Sequence, residues 1–173
     1  YYLDDVSVFC STVNTGPYHW QPTTGSHDFT DAANWSPQRN NPTSTDVLIF
    51  DNGGNSTANN VPDQTVGQLS VSNNTILNMV ASSGTSTIVI QGDAGDDLEV
   101  EAGSQLIVNS NDPLEIVVST GATAQIDGTV EFRNDPGSGV ARAHRLLAAD
   151  ANAVQFNNGA LFLVTDLNGA AFG

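Results

Sequence analysis

From Asp63 onward the chain is a succession of short bursts in which apolar and polar residues alternate. In order they read "TVGQLSV", "TILNMV", "STIVIQG", "DLEVEAG", "QLIVNS", "LEIVVST", "AQIDG", "TVEFRN", "HRLLAAD", "AVQFNNG" and "ALFLVTD". Leu69 and Val71, Leu77 and Met79, Ile88 and Ile90, Leu98 and Val100, Leu106 and Val108, and Ile116 and Val118 fall two apart. A period of two places such pairs on one face of a strand. The positions between them are mostly polar (Asn78, Glu99, Glu115), so one face is buried and the other wet. No helical period interrupts the series.

Two architectures fit short, evenly spaced strands without helices: a parallel β-helix and an antiparallel β-sandwich or barrel. Three features favour the all-β class in its right-handed parallel β-helix form. The strand cores run to about three to five residues, short for a sandwich. Their corners are single residues, as at Gly92, Gly103, Gly121, Gly128 and Gly159. Hairpin dipeptides such as Asp127–Gly128 are rare. Two bursts make about twenty residues, a workable length for one coil. Stacked coils then bury what a single coil cannot.

Upstream, the pattern predicts two further parts. Residues 1–12 read as the terminal strand of a preceding β domain, with "YYLDDVSVFC" alternating throughout. Residues 13–62 form a loop-rich cap and lead-in, punctuated by Pro17, Pro22, Pro37, Pro42 and Pro62. Within it "TDVLIF" is a strand with Val47 and Ile49 on one side and Leu48 and Phe50 on the other, which reads as fully buried or as the first strand of a stack. "FTDAANW" suits one helical turn with Thr30 as N-cap. An open β-helix end exposes core and sheet edges. Trp20, Phe29, Trp35 and Phe50 are large enough to close it. Residues 63–173 are the coils.

The middle part, with Trp20, Phe29, Asp31, Asn34, Trp35, Pro42, Asp46, Val47 and Ile49 followed by Val66, Leu69 and Val71, resembles the leading segment of β-helical modules in large bacterial secreted and cell-surface proteins. These include type IX secretion cargo and autotransporter-like adhesins. "AVQFNNGALFLVTDLNGAAFG" resembles their late coils, and "YYLDDVSVFC" resembles the closing strand of secreted jelly-roll domains. The resemblance implies an extracellular or cell-surface segment, structural or adhesive in function, with neighbouring domains on a longer chain.

Charge narrows the partners. Nineteen acidic residues against four Arg and no Lys give a formal net charge of -15. Such a chain repels nucleic-acid phosphates and anionic membranes. No apolar run reaches membrane-span length. Cys10 is the only cysteine, so no disulfide framework is expected. Tyr1 is not a Met, and the chain reads as a piece of something longer.

Candidate chemistry is sparse. His19, His27 and His144 show no metal-ligand spacing, and G-x-S-x-G is absent. No catalytic residue is assigned, although Glu99, Glu101 and Glu115 are the carboxylates a β-helical polysaccharide-degrading enzyme would pair. "RAHR", from Arg142 to Arg145, is the one basic cluster and reads as a salt-bridged surface. Asp93, Asp96 and Asp97 in "GDAGDD" are candidate calcium ligands, as are Asp4 and Asp5, against the plainer reading of solvated turns. Otherwise no cofactor is expected. A carbohydrate-binding module would stack sugars on Tyr18, Trp20 or Trp35, against the plainer reading that these residues cap the core. Surface glycans, or a second copy of the chain, are the remaining partners the sequence suggests.

Overall fold

The computed structural model describes residues 16–92, 95–133 and 144–165. The strand expected in residues 1–12, with Asp4, Asp5 and Cys10, lies outside these, as do Asp93 and Arg142. The described residues form an all-β structure of three sheets.

The first sheet, A, holds seven strands: β1 (Tyr18–Trp20), β3 (Trp35–Ser36), β4 (Val47–Phe50), β7 (Gln68–Val71), β10 (Leu98–Val100), β13 (Ala124–Ile126) and β16 (Val154–Phe156). Sheet B holds six: β2 (Thr24–Asp28), β5 (Asn55–Val61), β8 (Ile76–Ala81), β11 (Gln105–Asn109), β14 (Thr129–Arg133) and β17 (Leu161–Val164). Sheet C holds four: β6 (Gln64–Val66), β9 (Ser86–Ile90), β12 (Leu114–Val118) and β15 (Arg145–Ala148). From β4 onward the chain visits the sheets in the fixed order A, B, C, and each strand pairs in parallel with its counterpart one circuit earlier. The antiparallel sandwich is therefore overturned: β1 with β3 is the one antiparallel pair among the described residues.

A circuit contains three strands, not two. "TVGQLSV" hides a corner, because β6 ends at Val66 and β7 starts at Gln68. Gly67 turns that corner against the preceding circuit. A Cβ there would sit 3.0 Å from the Thr45 carbonyl oxygen, and the Gly67 N–H donates to the Asp46 carbonyl at 2.9 Å. The repeat is not constant either. Hydrogen-bonded side chains on successive circuits lie 23 residues apart for Asn55 and Asn78, and 32 apart for Gln125 and Asn157.

Alternation puts one set of side chains into a single core. Leu48, Leu69, Leu98 and Ala124 stack along sheet A in register, each fully buried. Ile88 and Ile116 do the same in sheet C, and Leu77, Leu106 and Val130 in sheet B. Each such aliphatic side chain contributes roughly 1.5–3 kcal/mol on burial. In β4 only Leu48 and Phe50 are fully buried, while Val47 and Ile49 are half-buried. β4 is not the first strand of the stack, because β1 lies beyond it in parallel.

The helical turn expected in "FTDAANW" is a 3-10 turn at Ala32–Asn34. Its cap is Asp31, whose carboxylate accepts the Ala33 N–H at 2.9 Å. Thr30 is engaged elsewhere, donating its N–H and hydroxyl to Asp28 at 2.8 and 2.7 Å.

Candidate functional site

The densest chemistry lies where the lead-in folds over the first circuit. β1 and β3 pair antiparallel and bring Trp20 opposite Trp35, with ring centroids 5.0 Å apart and nearly perpendicular. Phe29 meets Trp35 edge-on at 5.2 Å, and Phe50 meets Trp35 at 5.4 Å. Both indole N–H groups are used: Trp20 donates to the Ser56 hydroxyl at 3.0 Å, and Trp35 to the Phe29 carbonyl at 2.9 Å. Edge-to-face pairs with satisfied N–H groups are the arrangement expected of a core.

A sugar platform needs an exposed ring face. Tyr18, Trp20 and Trp35 are 2%, 0% and 2% exposed, so all three belong to the core and none offers a face to solvent. Burial, with the Asp46 carboxylate adding to it, pushes the Tyr18 phenol above its ordinary range.

Arg39 and Asp46 were not anticipated as a pair. Arg39 Nε donates to Asp46 at 2.6 Å, with side chains 3% and 0% exposed. The guanidinium carbon sits 5.7 Å from the ring centroids of both Phe29 and Trp35. Its Nη2 reaches Gln64 Oε1 at 3.1 Å, tying the cap to the first strand of sheet C. The Asp46 carboxylate also accepts the Thr43 N–H and hydroxyl at 3.1 and 2.6 Å. A buried ion pair persists only when its remaining polar sites are satisfied in this way.

A cleft of about 140 Å³ opens beside this pair, walled by Phe29, Trp35, Arg39, Pro42, Asp63 and Gln64. Small-molecule pockets run to roughly 300–1,000 Å³, so it is undersized for one. Its aromatic walls are the buried rings already described.

The other candidates are dispersed. Glu99 is on sheet A and accepts the Ser70 hydroxyl at 3.1 Å, while Glu115 is on sheet C with Arg145 at 3.9 Å. Glu101 follows β10 and accepts the Asn73 N–H at 3.2 Å. Glu99 and Glu115 thus stand on different sheets. Of the expected calcium ligands, Asp96 is exposed. Asp97 is 2% exposed and accepts the Thr123 N–H at 2.8 Å, so its carboxylate braces a backbone turn of the next circuit. Among the described residues, no three His, Cys, Asp or Glu side chains gather as a metal site.

The histidines have separate roles. His19 pairs with Asp51 at 3.0 Å on the surface, and His27 Nε2 contacts the Thr24 carbonyl at 2.9 Å. His144 is 5% exposed. Its Nδ1 accepts the Leu114 N–H at 3.1 Å, and its Nε2 faces the Arg133 carbonyl at 3.1 Å. Accepting at Nδ1 places the proton on Nε2, which makes the ring a neutral brace between β12 and β14.

Buried acids do similar work. Arg133 donates from Nε and Nη2 to the two carboxylate oxygens of Glu131, each at 2.8 Å, and Thr165 adds its hydroxyl at 2.6 Å. The Arg133 contact, then the Thr165 hydroxyl, hold the Glu131 carboxyl below its ordinary value against an opposing effect of burial. Comparison with family models, with curated proteins and with solved structures found no match to this chain.

Proposed function

We propose that the three sheets are the walls of a right-handed parallel β-helix, and that this solenoid serves as a stiff spacer or adhesion rod in an extracellular, cell-surface or filamentous bacterial protein. The observation that carries this reading is the repeated A, B, C order of parallel strands around one continuous core. A chain that returns to the same three sheets on every circuit advances along one axis. Bending it means breaking parallel ladders on one side while compressing packed side chains on the other.

Side-chain ladders on the outer faces add to the stiffness. Asn59 donates to Ser26, Asn78 to Asn55 and Asn157 to Gln125, each linking neighbouring circuits. The polar groups that remain would supply contacts to surface glycans through hydrogen bonds, without aromatic stacking. No helix among the described residues is long and apolar enough to cross a membrane. The extracellular bacterial setting rests on the sequence resemblance.

Pulling the chain from its two ends by atomic-force spectroscopy tests the rod. The expected trace holds its folded length under load and then yields in steps of about one circuit. Smooth extension at low force would overturn the reading.

A further inference from the structure

The outer wall of sheet C carries a groove of about 450 Å³, lined by Asp63, Gln64, Thr65, Thr87 and Val89. It lies over β6 and β9, which pair in parallel with each other, so it belongs to the side of the stack. Asp63 and Gln64 also line the cleft of about 140 Å³ beside Arg39, so groove and cleft adjoin. The two hollows differ in kind. The groove offers two threonine side chains and a carboxylate. The cleft takes apolar walls from Phe29, Trp35, Pro42 and Pro62.

Arg39 supplies the cleft with a donor. Its Nε and Nη2 are taken by Asp46 and Gln64, and among the described residues nothing accepts from Nη1. The unpartnered side-chain atoms sealed from solvent among those residues are Asn59 Oδ1, Gln64 Nε2 and Ser104 Oγ, and Arg39 Nη1 is not one of them. Nη1 is therefore an open donor on a side chain that is 4% exposed and lines the cleft. The Gln64 amide cannot take its place, because Nε2 is sealed and Oε1 accepts from Arg39.

Charge selects the ligand. Asp46 neutralises Arg39 at 2.6 Å, and Asp63 adds a negative charge where the two hollows meet. An anion gains little from such a site on a chain of net charge -15. A neutral oxygen acceptor that carries a small apolar group fits instead.

We propose that cleft and groove together bind an N-acetylhexosamine unit of a glycan. The acetamido carbonyl accepts from Arg39 Nη1, and the methyl rests against Pro42 and Pro62. The acetamido N–H donates to the Asp63 carboxylate, which the Thr87 N–H steadies at 2.7 Å through Oδ1. The pyranose ring occupies the groove, with its hydroxyls toward Thr65 and Thr87. Size agrees. The cleft is too small for a whole ligand, yet a cavity of about 150 Å³ holds benzene, so an acetamido group has room. Acetylated lysine presents the same group, but its apolar arm gains nothing from a carboxylate and two threonines. The inference deepens the glycan contacts proposed above by naming a sugar class and a place, and it does not depend on the stiffness of the rod.

Nitrogen-15 NMR titration of the chain tests this with three probes: methyl N-acetyl-β-glucosaminide, methyl β-glucoside and N-acetyl-lysine amide. The first is expected to shift the Arg39 Nε–H, the Trp35 indole N–H and the Thr65 and Thr87 amides. The other two are expected to bind about tenfold more weakly or worse, the equivalent of one lost hydrogen bond. Replacing Arg39 would strand Asp46, so the variant is Asp63→Ala at an exposed position. It should weaken the first probe about threefold or more with an unchanged circular dichroism spectrum. An unaltered affinity in this variant overturns the proposal. Equal binding of the two glycosides, or shifts confined to other residues, overturns it while glycan contact elsewhere on the chain still stands. Tighter binding of the acetyl-lysine amide also overturns it and makes the cleft a site for modified protein. No shift with any probe leaves the cleft to water and sinks the site, and the pulling experiment decides the rod separately.

Discussion

The Trp20 indole N–H donates to the Ser56 hydroxyl at 3.0 Å, inside a core column that later circuits fill with Leu77, Leu106 and Val130. Ser56 is 1% exposed. It occupies an aliphatic position because the cap's indole needs an acceptor there. Ser56→Ala should cost about 1–3 kcal/mol by stranding the indole N–H. Trp20→Phe should cost more, since ring packing is lost as well. A double-mutant cycle in urea should give a coupling of about 0.5–3 kcal/mol. Strictly additive effects would mean the hydrogen bond contributes nothing.

The same contact explains a gap in the sequence reading. β5 is "NSTANNV", whose core positions are Ser56, Ala58 and Val61, and no alternation of large apolar residues marks it. β2 is "TGSHD", polar throughout. Parallel partners on the neighbouring circuit make these strands, and that information is not local. The later strands were legible because Leu, Ile and Val alternate with polar residues in each. The number of strands per circuit was not legible, because Gly67 makes a corner in a single residue. The buried aromatic cluster was legible from size, yet the same rings also suggested a sugar platform. Only burial separates the two.

Arg39 and Asp46 are seven residues apart in a loop, and no periodicity signals their pairing. Their energetics should be asymmetric. Asp46→Asn leaves a buried guanidinium without its counter-ion and should destabilise by roughly 3–5 kcal/mol. Arg39→Met keeps some packing against Phe29 and Trp35 but strands the carboxylate, with a loss of similar size. The double variant Arg39→Met/Asp46→Leu should recover a substantial part of the loss. Chemical denaturation of the four proteins decides it, and a double variant less stable than either single one would contradict the account.

Acid should weaken the late circuits. Glu131 in the folded state sits below the ordinary carboxyl value of 4.5, chiefly through Arg133. Asp28, held below 3.8 first by the Thr30 hydroxyl and then by Asn60, acts in the same direction. A depressed folded pKa means the unfolded chain binds the proton more readily. The stabilisation is therefore complete above the unfolded value and is lost as pH falls through the lower folded value. Thermal melts from pH 6 down to pH 3 should show a falling Tm, with a shallower fall in Glu131→Gln. Parallel acid limbs in the two proteins would exclude Glu131 as a contributor.

Gly128 reports on how closely successive circuits approach. A Cβ at this position would overlap the carbonyl oxygens of Ser104 and Glu101, both on the preceding circuit's corner. The Gly128 N–H also donates to the Val100 carbonyl at 2.9 Å, so the backbone cannot back away without losing that bond. Gly128→Ala should therefore destabilise by about 1–3 kcal/mol, the range for overpacking a tight site. Gly121, with no atom near its missing Cβ but a φ of +82°, isolates the effect of backbone conformation. Gly121→Ala should cost only about 1 kcal/mol. Equal losses at the two sites would argue against steric contact between circuits.

His144 supplies a spectroscopic test of the late packing. Its ring bridges the Leu114 N–H and the Arg133 carbonyl, with the Phe132 ring 5.8 Å away and edge-on. Nitrogen-15 NMR of the imidazole at neutral pH should show the Nε2–H tautomer, with Nδ1 unprotonated. His144→Leu keeps the apolar contact with Phe132 but strands the Leu114 N–H, which belongs to a fully buried residue. The cost should be about 1–3 kcal/mol. Amide exchange localises the damage: Leu114 and the following strand β12 should lose protection, while β7 to β9 keep theirs. An Nδ1–H tautomer, or uniform loss of protection, would remove His144 from its bridging role.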